Sequence, residues 1–149
     1  MDFVRAMLSK PEVSLDDMRR ATAAFFFDQQ HPAIDVVAQM RLGLIRKPGM
    51  QKNELAAAVD QLTGGRQLLH DDVFRQMQAP TLLLHGRDEP GFYEPSDKVA
   101  LLDAALRVMH LIPRCDATVL AGCGHWPQLE VPERYNALCL DFLGSLPHW

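Results

Sequence analysis

Long apolar runs are missing from this sequence: Asp, Arg or Gln interrupts every hydrophobic stretch before it nears the ~20 residues that a bilayer-spanning helix needs. A membrane protein is therefore not expected. Positive charge is also short. The 15 Lys+Arg stand against 19 Asp+Glu, a formal charge of -4, and the basic residues come singly or in pairs (Arg19-Arg20, Arg46-Lys47) rather than in stripes. That leaves no footprint for a phosphate backbone, and nucleic acid is not an expected partner. Cysteine is limited to Cys115, Cys123 and Cys139, an odd number without a C-x-x-C, which argues against a disulfide framework or a zinc knuckle and for free thiols in a reducing compartment. The opening Met1-Asp2-Phe3-Val4-Arg5 lacks the basic and apolar regions of a secretory signal, so the expected location is cytoplasmic.

What is present is the composition of one ordinary globular domain: 149 residues, 48% hydrophobic and 23% charged, with 9 Gly and 10 Pro. No internal repeat is visible. The first half reads as helices. Ser14-Leu15-Asp16-Asp17 has capping-box spacing and opens a pattern that sets Leu15, Met18, Thr22, Phe25 and Phe26 on one helical face. This helix should stop before Asp28, because Pro32 disfavours helical backbone at His31. A second helix is expected from Pro32 to about Arg46, and a third, Ala-rich, from Glu54 to Leu62, closed by Gly64-Gly65.

The character changes at Ala79-Pro80. Thr81 to Gly86 is a short, nearly unbroken apolar run, as expected of a parallel strand buried on both faces. A polar loop from Arg87 to Pro95 leads to an amphipathic helix over Ser96 to Ile112, stopped by Pro113. A second strand, Ala117 to Leu120, runs into Ala121-Gly122-Cys123-Gly124-His125-Trp126, and a closing helix begins near Pro132. Strand, helix, strand, helix is the crossover unit of a parallel sheet, so the fold class is α/β.

These residues also carry a family resemblance. Pro80-Thr81-Leu82-Leu83-Leu84-His85-Gly86-Arg87-Asp88-Glu89, followed by Gly122-Cys123-Gly124-His125-Trp126-Pro127-Gln128-Leu129-Glu130-Val131-Pro132-Glu133-Arg134-Tyr135-Asn136, resembles the C-terminal end of the α/β-hydrolase fold. The Gly-Cys-Gly-His-Trp form is similar to the carbon-carbon bond hydrolases that cleave ring-fission (meta-cleavage) products in aromatic degradation. The helical first half is similar to that family's lid, through Phe27-Asp28 and the helix carrying Arg41. The resemblance implies a C-terminal fragment of such a hydrolase, with a helical lid at 1–78 and the last part of the sheet at 79–149.

That fold places its nucleophile on a G-x-S-x-G elbow, and none of the four serines here (Ser9, Ser14, Ser96, Ser145) has glycines two residues to either side. The nucleophile-bearing half is thus expected to lie outside this sequence, and the chain alone is expected to be inactive. His125, in a Gly-rich turn after a strand, is the candidate general base and acid. The resemblance puts the acid that orients it three residues after Gly86, at Glu89; Asp88 matches by residue type, and both stay candidates. Trp126 either packs against the apolar part of a substrate or serves as ordinary core. Cys123 reads as a small buried space-filler.

On a helical wheel with Ile34 at zero, Val37 falls at about 300°, Arg41 at about 340°, Ile45 at about 20° and Ala38 at about 40°, so Arg41 is expected in the middle of the apolar stripe. A guanidinium in an apolar stripe either reaches out to water along its stem or clamps an anion, here a substrate carboxylate. The resemblance implies an apolar small-molecule substrate as partner, carboxylate-bearing where Arg41 acts as the clamp, and hydrolase chemistry that calls for no metal and no other cofactor. Cleavage of a vinylogous diketone acid is the first reading. An ester or lactone hydrolase of the same fold, or a non-catalytic remnant, is the alternative. Self-association or pairing with the absent half is expected of the apolar first strand.

Overall fold

Ser14 starts the helix Leu15–Ala23 for the reason its spacing predicts. The computed structural model of the chain describes residues 6–53, 70–88 and 95–146, with backbone alone over 95–101. In α1 (Leu15–Ala23) the Ser14 Oγ accepts from the Asp17 N–H at 3.1 Å, and the Asp17 carboxylate accepts from the Ser14 N–H at 3.2 Å. This closes the capping box. The same carboxylate is almost completely buried and takes Lys10 Nζ at 2.7 Å and Arg20 at 2.8 Å. Lys10, and after it the Ser14 hydrogen bonds, hold Asp17 well below the usual carboxylate range.

The second helix, α2 (Ala33–Ile45), begins after Pro32, and His31 Nδ1 accepts from the Ala33 N–H at 3.2 Å. Its buried stripe of Ala38, Leu42 and Ile45 meets Met7, Leu8, Val13, Met18 and Ala21 in one apolar core, with Leu15 at its margin. Outside, Arg19 links the two helices by reaching Asp16 at 3.0 Å and Asp35 at 2.7 Å.

Two expectations for this half are corrected. The α1 helix ends at Ala23, so Phe25 and Phe26 are not on its face; they continue as tight turns, Phe25 N–H to Thr22 O and Phe26 N–H to Ala23 O, both 3.0 Å. Arg41 stands at the edge of the α2 stripe rather than its middle, because Leu42, buried on the far side of Ala38, pulls the centre of the stripe away from it. The helix expected at Glu54–Leu62 lies outside the described residues.

The second half contains a short helix α3 (Asp71–Arg75), strand β1 (Thr81–Gly86), helix α4 (Pro95–Leu111), strand β2 (Cys115–Leu120), a one-turn helix α5 (Pro127–Glu130) and helix α6 (Pro132–Ser145). The strands are parallel, in register from Thr81 opposite Cys115 to Gly86 opposite Leu120, with α4 as the crossover. Arg107 on α4 reaches Asp71 at 2.6 Å and, foremost among its neighbours, lowers that carboxyl.

Expected burial of β1 on both faces is not what the structure shows: Thr81 to His85 are all half-buried. Among the described residues only β2 lies beside β1, so its other edge and part of each face stay uncovered. Leu140 and Leu143 on α6 are likewise exposed. No helix among the described residues is long and apolar enough to cross a membrane.

Candidate active site

The segment from Ala121 to Trp126 leaves the C-terminal end of β2 and carries His125. Its path is fixed residue by residue. Gly122 has φ +69°, a conformation that glycine adopts without a steric penalty, and its N–H donates to Asp88 Oδ2 at 2.7 Å. Asp88 returns its own N–H to Cys123 O at 3.0 Å, while Arg87 donates to both oxygens of the Asp88 carboxylate, at 3.2 Å to Oδ1 and 3.1 Å to Oδ2. Cys123 is fully buried, as its size and setting predict. Arg134 on α6 reaches back to Ala121 O at 3.2 Å.

Two glycines let backbone meet backbone here. A Cβ on Gly86 would run into the Gly124 carbonyl oxygen and lie 2.7 Å from Cys123 O. A Cβ on Gly124 would lie 2.7 Å from Phe25 O and 2.8 Å from the Phe27 nitrogen. The His125 turn is thus pressed between the end of β1 and the segment that follows α1.

That segment and the turn are bonded as well as packed. The His125 N–H donates to Phe25 O at 2.9 Å. Glu130 accepts from Gly124 at 3.0 and 3.1 Å, from Trp126 at 3.2 Å, and from Phe27, on the other side of the contact, at 2.7 Å. Aromatic rings complete the joint. Trp126 stacks on Phe25 with centroids 5.1 Å apart and meets Phe26 edge-on at 5.1 Å, and Phe26 stacks on His31. The Phe25 ring lies 5.3 Å from the His125 ring on one side, and the Arg41 guanidinium carbon is 5.6 Å from its centroid, within cation–π range.

The structure therefore brings three of the sequence candidates, His125, Trp126 and Arg41, around one ring, Phe25. His125 is exposed, and it opens onto a groove of about 530 Å³ lined by Leu82, Leu84, Gln128, Tyr135 and Phe142 among others. Asp88 lies under the start of the turn, where Gly122 and Arg87 engage it. Glu89 lies outside the described residues. Trp126 is half-buried in the aromatic stack. His31, which accepts from the Ala33 N–H, and the acceptor Glu130 had no role assigned from sequence. Glu130 stands five residues after His125 inside the quoted motif, and that place in the pattern was the available signal. Among the described residues no group of three or more His, Cys, Asp or Glu could hold a metal ion.

This geometry, a histidine on a turn beyond a parallel strand with a helical layer fastened over it, can be compared with known proteins. No family model matches the chain. The 2-hydroxy-6-oxo-2,4-heptadienoate hydrolase of Pseudomonas putida is 30% identical over 136 residues, covering 90% of this chain and 46% of that relative. A 2-hydroxy-6-oxononadienedioate/2-hydroxy-6-oxononatrienedioate hydrolase of Paraburkholderia phymatum is 29% identical over 134 residues, 89% of this chain and 42% of the relative. Of solved structures, the meta-cleavage product hydrolase CumD superposes with a TM-score of 0.68 at 24% identity, over 97% of this chain and 51% of that one. The 2-hydroxy-6-oxo-6-phenylhexa-2,4-dienoate hydrolase of Rhodococcus sp. strain RHA1 gives 0.70 at 18% identity, over 89% and 45%.

The chain carries part of the α/β-hydrolase fold, about half of each solved relative. Within that fold it is a homologue of the meta-cleavage product hydrolases. It spans about half the length of the curated relatives it matches.

Proposed function

We propose that this chain supplies the proton-shuttling histidine, the lid and the substrate-carboxylate clamp of a serine-type hydrolase that cleaves a carbon-carbon bond in a vinylogous diketone acid. In this reading residues 1–78 are the lid and 79–149 the C-terminal part of the core. The observation that carries it is the convergence of His125 and Arg41 on the Phe25 ring, beyond the C-terminal end of a parallel strand. His125 takes the proton from the attacking oxygen and delivers one to the carbon that leaves, so that water is added across the broken bond: hydroxyl to the acyl carbon, hydrogen to the other. Asp88 is engaged by Gly122 and Arg87, which favours Glu89 as the acid that orients the imidazole. Arg41 pairs with the substrate carboxylate in a bidentate fork. The nucleophile and its oxyanion donors come from a part of the fold outside these 149 residues, joined at the open edge of β1.

The test is complementation. The chain is combined with the nucleophile-bearing N-terminal half of a homologous hydrolase, and loss of the dienoate absorbance is followed. Turnover that falls by roughly a thousandfold or more in His125→Ala supports the reading, since removing one member of a triad has effects of at least this order. Equal turnover in parent and variant, or none in an assembled complex, overturns it. A second reading, ester hydrolysis with the same residues, is supported by the likeness to the esterase RhEst1 of a Rhodococcus species, TM-score 0.64 at 22% identity. A chromogenic ester in the same complex separates the two.

A further inference from the structure

We infer that Glu130 is a positioning residue that latches the lid to the His125 turn, so that the two open and close as one unit. Its carboxylate takes one N–H from the lid side, Phe27 at 2.7 Å, and N–H groups from both residues flanking His125, Gly124 and Trp126. A charged acceptor strengthens each bond, and a carboxylate offers about four lone-pair sites, enough for three donors. The remaining link, His125 N–H to Phe25 O at 2.9 Å, runs the other way across the same contact, so the seam is bonded in both directions. Phe25 then joins the latch to substrate recognition, because its ring stacks on Trp126 and lies beside Arg41. A lid that swings away from the turn must break the Phe27–Glu130 bond, and a turn that shifts His125 must break the Gly124 and Trp126 bonds to the same carboxylate. The catalytic meaning of the latch rests on the reading of His125 as the proton shuttle; the latch itself does not.

Amide hydrogen exchange on the isotopically labelled chain tests it. Phe27 is more than half exposed and lies outside any helix or strand, so its amide would ordinarily exchange at the unprotected rate. The expectation is instead protection of Phe27, Gly124, His125 and Trp126, with a common dependence on low urea. Glu130→Gln, which keeps the shape and removes the charge, should speed all four by about tenfold or more and move the ring-proton NMR resonances of the His125 imidazole. The amides of Met18 and Leu42 in the lid core should not change. Gly124→Ala, which pushes the same two segments apart, should give the same signature. An unprotected Phe27 amide in the parent chain overturns the inference without any variant, as does a Glu130→Gln effect spread equally over Met18 and Leu42. Failure of the complemented enzyme to turn over would leave these measurements untouched, so the two ideas fail separately.

Discussion

Two glycine-to-alanine changes should have opposite signs in this chain. Gly43 lies on the exposed side of α2 with nothing within 4 Å of where a Cβ would sit. Alanine there removes backbone freedom from the unfolded chain and should stabilise by about 0.5–1 kcal/mol. Gly86 ends β1, and its Cβ would be driven onto Gly124 O with Cys123 O at 2.7 Å and Gly124 C at 2.8 Å. All three are backbone atoms, so no side-chain rotation relieves the contact and the His125 turn must move. Overpacking of this kind costs roughly 1–3 kcal/mol, which exceeds any entropic gain. For a chain of this length about 1 kcal/mol moves the midpoint by roughly 2–4 °C, so Gly86→Ala should melt several degrees lower and Gly43→Ala slightly higher. Urea unfolding followed by far-UV circular dichroism measures both, with unchanged slope as the sign that only stability moved. A Gly86→Ala midpoint equal to the parent's, or a clearly destabilised Gly43→Ala, would refute the packing argument.

Acid should loosen the N-terminal helical pair through Asp17. Its pKa is lower folded than unfolded, so the stabilisation it brings is complete above the ordinary aspartate range, near pH 4, and is lost as pH falls towards the folded value; Asp17→Asn should flatten that part of a stability-against-pH curve. In the complemented enzyme, Arg41→Lys and Arg41→Ala should weaken use of carboxylate-bearing substrates far more than of neutral esters, and equal losses on both in a kinetic comparison would return Arg41 to a packing role. The chain alone should turn over an activated ester no faster than its His125→Ala variant, a rate comparison that any nucleophile within these residues would upset. Sedimentation should show self-association of the isolated chain, through the uncovered edge of β1 and the exposed Leu140 and Leu143; a sharp monomer counts against it.

Features with a local cause could be read from the sequence. The capping box at Ser14 is a contact over three residues, and Pro32 and Pro113 bound their helices by backbone restrictions of their own. The α4 helix, expected at Ser96–Ile112, is found at Pro95–Leu111, and β2 starts at Cys115, two residues earlier than its apolar part. Cys115 and Asp116 belong to the strand because Thr81 and Leu82 pair with them, and such pairing has no local signal. The five-residue α3 and the four-residue α5 escaped because neither is long enough to show a helical period. The end of α1 was misplaced for a related reason. Phe25 and Phe26 continue its apolar spacing, yet Phe25 O and Phe27 N–H are engaged by His125 and Glu130, about a hundred residues away.

The candidate site divides along the same line. His125 stands out in the sequence because the glycines around it are there for steric reasons that leave a trace: Gly122 takes a positive φ, and Gly124 and Gly86 admit backbone at distances that no side chain allows. Glu130 leaves a fainter trace. What it recognises is a set of N–H groups, which every residue except proline possesses, so the identities of Phe27, Gly124 and Trp126 do not announce a carboxylate between them. Arg41 falls between these cases. Its spacing put it near an apolar stripe, and the structure moves it to the rim of that stripe and against the Phe25 ring. A guanidinium at such a rim keeps its stem on apolar surface, and here its head lies beside the ring that packs against His125. The sequence pattern carried Arg41 to the edge of the N-terminal helical core, and the long-range bonds of the Phe25–Phe27 segment carry it to the histidine.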